Sequence, residues 1–216
     1  MSAGITAYWY VFLMGAATTL WISWLALLLG GLVGFAIGLL RLARWPLLRW
    51  FATAYTEIFR SIPPLVLFFG SFYGASYALQ VDLSPFASAT IALTATASAL
   101  MAEVVRAGIE SVGRGQWEAA LSSGMTRLQA SRYVIWPQAV RVMLPPSVGV
   151  YISTLKDSAL ASVIGYVELT KSGLLIRETT GISFEVLLII ATMYFVINYS
   201  ISLVGAALER RFRFVH

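Results

Sequence analysis

The amino-acid sequence predicts an all-α integral membrane protein, and two observations support this prediction. Of the 216 residues, 59% are hydrophobic and only 12% are charged, whereas soluble domains carry about 25% charged residues. The apolar residues also form long uncharged runs, and a membrane-spanning helix needs roughly 20 such residues. We therefore expect one transmembrane domain, residues 1–216, built from five spanning helices.

The first two spans flank an arginine-rich connection. No charged residue occurs from Met1 to Leu40, which places the first span at about 12–40 and argues against a cleavable signal peptide with its basic start. The segment RLARWPLLRW follows. The next uncharged run, Ser61 to Val81, belongs to a second span at about 55–80, because the helix is expected to begin a turn or two earlier.

The remaining spans are predicted at about 84–108, 140–163 and 185–208. The third is rich in Ala, Ser and Thr, which let helix backbones approach closely, so we expect it to be buried. The fourth continues through Lys156 and Asp157. The segment VELTKSGLLIRETTG, before the fifth span, is interpreted as a long external loop.

The distribution of basic residues predicts the orientation. One side receives ten arginines: Arg41, Arg44, Arg49, Arg114, Arg127, Arg132, Arg141, Arg210, Arg211 and Arg213. The other side receives little beyond Lys171 and Arg177. Basic residues accumulate in the cytoplasm, so we expect an external N-terminus and a cytoplasmic C-terminus. Trp45 and Trp50 fit the aromatic belt at the cytoplasmic interface. The net charge of +5 is thus a topology signal, and no nucleic-acid partner is predicted.

A polar segment at about 113–137 interrupts the apolar pattern. A short helix is predicted from Gln116 to Leu121, with Gly124 as the left-handed residue after its end. Thr126 and Gln129 form a capping-box pattern at the start of a second helix. A DNA-binding helix-turn-helix would look similar, but apolar spans enclose this segment on both sides. The remaining interpretation is a stiff docking element for a soluble partner.

The polar segment resembles the EAA loop of ABC-transporter permeases, E-A-A, three residues, G, nine residues, I-x-L-P. The matching residues are Glu118, Ala119, Ala120, Gly124 and Pro137, with Val134 and Trp136 in place of Ile and Leu. The bulk of Trp136 has no explanation from the sequence. The segments YTEIFRSIPPLVLFF, AEVVRAGIESVGRGQWEAA, WPQAVRVMLPP and LKDSALASVIGYVEL, within about residues 50–170, resemble permeases of the polar amino-acid importers (histidine, glutamate, glutamine, arginine and opine type).

This resemblance implies the type I ABC importer permease fold and a transport subunit that is not an enzyme. It implies import of a polar amino acid by alternating access across the bacterial cytoplasmic (inner) membrane. The implied partners are a dimer of ABC ATPase subunits, a second permease copy or a paralogue, and an extracytoplasmic amino-acid-binding protein. The coupling residues that contact the ATPase would be Gln116, Trp117, Glu118, Ala119, Ala120, Gly124 and Pro137. The external loop could touch the binding protein, although an ordinary loop is favoured.

No cofactor is expected on this chain. It lacks the phosphate-binding pattern G-x-x-x-x-G-K-[ST], and its only lysines are Lys156 and Lys171. ATP and magnesium are therefore expected on the partner ATPase. Without cysteine, and with His216 as the single histidine, no metal site or histidine-based catalytic site is predicted.

Charged residues within the spans are candidates for the substrate pathway or a gate. Glu57 and Arg60 lie three residues apart before Pro63, where a structural ion pair is favoured over a gate hinge. Glu103 and Arg106 repeat this spacing, and both interpretations stay open for them.

Lys156, Asp157 and Ser158 are candidates for the pathway as well. Counted from Arg141, Lys156 lies roughly 22 Å along the helix, in the outer half of the membrane. Adjacent side chains point about 100° apart, so Lys156 and Asp157 need other partners or a water-filled cavity. Related importers usually have K-D-T-S-L here, against K-D-S-A-L in this chain.

A secondary transporter or small channel for a polar solute is the alternative function. It would predict inverted repeats, which the five spans do not show, and a membrane enzyme would need a nucleophile motif that is not found. The segments FRSIP and SSGMT slightly favour an acidic amino acid as the substrate.

Gly30, Gly34 and Gly38 form a face of small residues. This face serves either packing within the chain or a subunit interface.

Overall fold

The computed structural model describes residues 6–212, and helices dominate this range. Ten α-helices lie within the described residues: α1 (Trp9–Arg41), α2 (Pro46–Ser61), α3 (Pro64–Phe69), α4 (Ala75–Leu79), α5 (Pro85–Glu110), α6 (Arg114–Ser122), α7 (Arg127–Ala130), α8 (Trp136–Asp157), α9 (Leu169–Thr180) and α10 (Phe184–Phe212). Short π-helical segments, Gly70–Gly74 and Ser131–Ile135, and 3₁₀ segments, Thr6–Tyr8 and Ser158–Ile164, join or precede them. Arg213, counted above for orientation, lies outside the described residues.

Three helices are long and apolar enough to cross a membrane unaided: α1, α5 and α10. Two further spans result if each of two bent helix pairs counts as one. These pairs are α2 with the segment Pro64–Ala78, bent by 102°, and Arg127–Ile164 with α9, bent by 45°. The predicted all-α membrane fold is confirmed.

The core of the bundle is the contact between α1 and α5, and three glycines make it close. A Cβ atom at Gly30 would lie 2.8 Å from the Cβ of Ala97, and at Gly34 it would lie 2.5 Å from the carbonyl oxygen of Ser98. At Gly38 it would approach α5 to the same 2.8 Å. These glycines therefore serve helix packing within the chain, which decides between the two alternatives left open by the sequence.

The predicted second span contains a break at Ile62 and Pro63. Both residues have extended backbone, with ψ angles of 126° and 134°, because a residue that precedes proline is disfavoured in the helical region. Pro64 then occupies the first turn of α3, where its missing N–H is tolerated. The predicted range 55–80 thus covers the end of α2 and the segment from Pro64 to Ala78. These two pieces are bent by 102° from each other.

The segment interpreted as an external loop is instead the helix α9, so that interpretation was wrong. Glu168 caps its start, and Gly181, with a φ of 72°, follows its end. Leu169 and Ile176 are buried in a cluster that includes Phe12 of α1. Apolar and small residues recur at helical spacing in this segment, but its charged residues obscured the pattern.

Candidate functional site

The polar module, defined as residues 113–137, begins with α6, and hydrogen bonds close the C-terminal end of this helix. Gly124 has a φ of +82°, and its amide donates to the carbonyl oxygen of Leu121 at 3.0 Å. The amide of Met125 donates to the carbonyl oxygen of Ala120 at 3.2 Å. This pair of bonds is a Schellman motif. The predicted left-handed position of Gly124 is confirmed.

The second helix of the polar module begins with the predicted capping box. The Gln129 amide donates to Oγ1 of Thr126 at 3.3 Å, and the Thr126 amide donates to Oε1 of Gln129 at 2.8 Å. From Arg127 the chain stays helical through α7, a π-helical segment and α8. The polar module is therefore joined to a spanning helix without a flexible connection.

The coupling residues predicted from the sequence divide between two faces of the polar module. Trp117 packs against the cluster that contains Val112 and Ile135, and Ala120 is buried. Nε2 of Gln138 donates to Oε1 of Gln116 at 3.3 Å. Trp117 and Ala120 thus attach the polar module to the bundle. The exposed members are Gln116, Glu118, Ala119, Gly124 and Pro137.

Trp136, unexplained by the sequence, packs against α1. Its ring centroid lies 5.5 Å from that of Phe35, with a tilt of 32° between the rings. The same side chain borders the cluster of Ile135, Ala139 and Met143. Tilted aromatic pairs at this separation contribute about 0.5–1.5 kcal/mol beyond their buried area. The indole therefore fastens the base of α8 to α1.

Six charged side chains form an ion-pair cluster where α1, α2 and α5 meet: Arg41, Glu57, Arg60, Glu103, Arg106 and Glu110. Glu103 is central, because its carboxylate accepts from Arg41 and Arg106 and lies 3.7 Å from Nη1 of Arg60. Oε1 of Glu57 lies 3.8 Å from Arg60 and 4.0 Å from Arg41. The two pairs predicted separately are thus one network.

The ion-pair cluster balances three arginines against three glutamates at the arginine-rich end of the bundle. The Arg41 side chain is 10% exposed, whereas Glu57 is 57% exposed. Arg41 was assigned only a topological role by the sequence analysis, because no local spacing links it to α5. A poorly hydrated guanidinium needs carboxylate partners, so Arg41 ties the end of α1 to α2 and α5.

From Pro146 onward, one face of α8 is exposed and lacks large apolar side chains. Its residues follow helical spacing: Pro146, Gly149, Ser153 and Lys156. The exposed face of α1 differs, because it presents Trp24, Leu28 and Leu32. Large apolar side chains suit lipid, whereas an exposed ammonium group at membrane depth requires water or a protein partner. The two faces therefore meet different surroundings.

The three predicted pathway residues at the end of α8 point in different directions. Lys156 is exposed and Asp157 is partly buried. Ser158 is buried, and its hydroxyl donates to the carbonyl oxygen of Leu155 at 2.7 Å. The Ser158 hydroxyl therefore does not belong to the exposed face of α8. Pro63, in the break after α2, is exposed and lies three residues after Arg60 of the ion-pair cluster.

Glu168 is a buried carboxylate that the sequence analysis did not identify. Its oxygens accept from the amides of Thr170 and Lys171 and from the hydroxyl of Tyr194, each at 2.8 Å. Oγ1 of Thr19 accepts from the following amide at 3.1 Å. The site therefore joins α1, α9 and α10. The signal in the sequence that could have identified Glu168 is an acidic residue at the start of a helical pattern.

Comparison with known proteins identifies related sequences along most of the chain. Residues 30–214 match the family described as binding-protein-dependent transport system inner membrane component. The chain is 36% identical over 200 residues to the probable glutamine ABC transporter permease protein of Bacillus subtilis, covering 91% of each chain. It is 35% identical over 204 residues to the glutamate/aspartate import permease protein of Escherichia coli, again covering 91% of each chain.

Two solved structures share the fold. An amino acid ABC transporter crystallised with histidines superposes with a TM-score of 0.92 and 36% identity, covering 98% of this chain and 100% of that chain. The inward-facing MetNI methionine ABC transporter superposes with a TM-score of 0.83 and 22% identity, covering 99% and 100%. The second likeness concerns the fold alone.

Proposed function

The chain belongs to the family of binding-protein-dependent transport system inner membrane components, and from this premise we propose that it moves a polar amino acid into the cytoplasm by alternating access. It is a permease subunit of an amino-acid ABC importer, a membrane transport subunit rather than an enzyme. Its fold is that of the type I importer permeases. The geometry supports the following proposals about its coupling and its pathway.

One observation supports this mechanism most directly: the polar module continues into α8 without a flexible connection. The 22 residues of α8 extend about 33 Å at 1.5 Å per residue. Lys156 lies near its far end, and Trp136 holds its base against α1. A displacement of the polar module would therefore be transmitted along α8 to its exposed face, and Pro145 and Pro146 inside the helix are the points where it can bend.

The polar module is the proposed docking site for an ATPase subunit, which binds ATP and magnesium. Glu118, Ala119 and Gly124 are exposed on it, while Trp117 and Ala120 attach it to the bundle. A stiff helix with small exposed side chains can enter a cleft, and its anchored face resists rotation. Two ATPase subunits, one for each permease copy, would then drive the change between states.

The exposed face of α8 is the proposed wall of the translocation pathway, shared with a second permease copy or a paralogue. Gly149 and Ser153 allow close approach or hydration, and Lys156 provides a cation. A zwitterionic amino acid carries one carboxylate and one ammonium group. Lys156 presents a positive charge on this face, and the adjacent Asp157, which is partly buried, provides a negative charge to one side of it.

The break after α2 is the proposed hinge of the pathway. Pro63 and Pro64 separate α2 from α3, and the ion-pair cluster holds α2 against α1 and α5 through Glu57 and Arg60. Rotation of α3 about the break would then leave the cluster intact. The arginine-rich end is the proposed cytoplasmic side, with the N-terminus outside.

The proposed substrate is a polar amino acid delivered by an extracytoplasmic binding protein. The relatives are named for glutamine in one case and for glutamate or aspartate in another. An acidic amino acid fits the exposed ammonium group of Lys156. This charge match at a single residue favours acidic members among the polar amino acids.

Reconstitution tests the proposed function. The permease is placed in proteoliposomes with its ATPase and binding protein, and uptake of radiolabelled amino acids is followed with and without ATP. Uptake is expected only with ATP. Uptake driven by a proton gradient in the absence of ATP would instead establish the secondary transporter.

Labelling of introduced cysteines tests the pathway, and the chain offers a clean background because it contains no cysteine. Ser153→Cys is expected to react with a membrane-impermeant thiol reagent, and substrate with binding protein should change its rate. Leu28→Cys, on the apolar face of α1, is the matched control and should stay unreactive. Equal reactivity at both positions would contradict the assignment of the α8 face.

A further inference from the structure

The start of α2, from Pro46 to Phe51, and the two residues before it are not covered by the bundle. Every residue from Arg44 to Phe51 is exposed. The exposed fractions are large for apolar side chains: 73% for Trp45, 75% for Leu47 and 70% for Trp50. Exposed apolar clusters of this kind mark an interaction surface.

Three apolar side chains lie on one face of α2, directed away from the bundle. Leu47, Phe51 and Ile58 follow helical spacing, and all three are more than half exposed. The opposite face carries Ala52 and Thr56, which are buried against α1 and α5. An outward apolar face on an amphipathic helix is typical of a helix that lies in a membrane interface.

The start of α2 and the two residues before it are also positively charged. Arg44 and Arg49 are exposed beside Trp45 and Trp50, and no acidic residue occurs between Arg41 and Glu57. Arg41 belongs to the ion-pair cluster, whereas the other two arginines flank the exposed tryptophans. Basic residues next to interfacial aromatic side chains attract anionic lipid headgroups.

The angle of α2 places this surface along the membrane plane. The segment from Pro64 to Ala78 enters the bundle and is bent by 102° from α2. The C-terminal half of α2 meets Glu103 and Arg41 at the arginine-rich end of the spanning helices. A helix perpendicular to a span, at the level where that span ends, lies at the lipid headgroups.

We propose that the start of α2 and the two residues before it, with Arg44, Trp45, Leu47, Arg49 and Trp50, are a binding site for an anionic phospholipid. The two guanidinium groups attract anionic headgroups at the start of α2, and the outward apolar side chains contact the acyl chains. The assignment of this site to the cytoplasmic leaflet rests on the proposed function, and the rest of the proposal does not. Lipid is the chosen occupant because the surface combines an outward apolar face with unbalanced positive charge.

Native mass spectrometry of the assembled importer tests the proposal. The complex is released from nanodiscs of equimolar phosphatidylcholine and phosphatidylglycerol, and the retained lipids are counted. Phosphatidylglycerol should be retained in preference to phosphatidylcholine. The double variant Arg44→Gln/Arg49→Gln should lower this preference by about 25-fold, at roughly fivefold for each arginine near an anionic surface.

Arg210→Gln is the matched control, because Arg210 is also an exposed arginine at the arginine-rich end. It should leave the preference unchanged. Equal losses in the control and the double variant would show a bulk charge effect and overturn the site, as would retained preference in the double variant. Because neither ATP nor substrate is present, these outcomes are independent of the transport test.

Tryptophan fluorescence tests the apolar part of the site. Brominated phosphatidylglycerol should quench the wild-type complex more than a Trp50→Phe variant, and the difference reports lipid contact at Trp50. Equal quenching would mean that a protein, such as a second permease copy or the ATPase, covers this surface. That outcome would overturn the proposal.

Discussion

Replacing Glu103 by glutamine is expected to destabilise the arginine-rich end of the bundle. Glu103 is shared by Arg41, Arg60 and Arg106. Glutamine keeps the shape of the side chain but removes its charge. Arg41 would then retain only Glu57, whose oxygen lies 4.0 Å away, as its carboxylate partner. The ion-pair cluster would hold three arginines and two glutamates.

The magnitude depends on how far water compensates for the lost charge. Removal of one partner from a buried ion pair costs about 3–5 kcal/mol. Because the Glu103 side chain is 28% exposed, part of this effect is screened, and we expect about 2–3 kcal/mol. The control is Glu110→Gln, since Glu110 is 50% exposed and pairs with Arg106 alone. Its expected effect is below about 1 kcal/mol.

Thermal unfolding of the purified complex in detergent measures the difference. For a chain of this size, 1 kcal/mol corresponds to roughly 2–4 °C in Tm. Glu103→Gln should therefore lower the Tm by roughly 4–12 °C, and Glu110→Gln by less than about 4 °C. Glu103→Asp keeps the charge and should recover part of the loss. Equal shifts for Glu103→Gln and Glu110→Gln would refute the central role of Glu103.

Three further predictions concern packing, coupling and the pathway. Gly34→Ala should destabilise the protein by about 1–3 kcal/mol, because the new Cβ would lie 2.5 Å from the carbonyl oxygen of Ser98. A Cβ atom at Gly31 would meet no atom within 4 Å, so Gly31→Ala should stabilise the protein by up to about 1 kcal/mol. Shifts in Tm of the same sign for Gly34→Ala and Gly31→Ala would contradict this. Glu118→Lys should reduce substrate-stimulated ATP hydrolysis several-fold with normal membrane insertion, and unchanged hydrolysis would argue against docking at this residue. Asp157→Ala should impair uptake more than assembly, so normal transport kinetics would count against a pathway role.

Features that depend on a few neighbouring residues were predictable from the sequence. Gly124 takes a left-handed conformation because few other residues do so without strain. Thr126 and Gln129 form their capping box because both partners lie within one helical turn. Glu103 and Arg106 pair because residues three apart share a helix face. The helical period alone determines such contacts.

Contacts between helices were not predictable in this way. Arg41 and Glu103 are 62 residues apart in sequence, and no local spacing relates them. The same limit applies to Trp136, whose partner Phe35 lies on another helix. Ser158 lies within the predicted fourth span, in the 3₁₀ segment that follows α8, but the direction of its side chain depends on what surrounds that segment. Each of these outcomes follows from the packing of the whole bundle.

The sequence by itself determined the membrane class, the polar character of residues 113–137 and the helix caps within them, because composition and short-range spacing are sufficient for these. Only the tertiary structure decided that α9 is a packed helix, that α2 turns away from α3, and that two predicted ion pairs are one cluster. Such features depend on which apolar faces meet, and many sequences with the same local pattern could bring different faces together. The tertiary structure also left the start of α2 and the two residues before it outside the bundle, where Arg44, Trp45, Arg49 and Trp50 remain exposed.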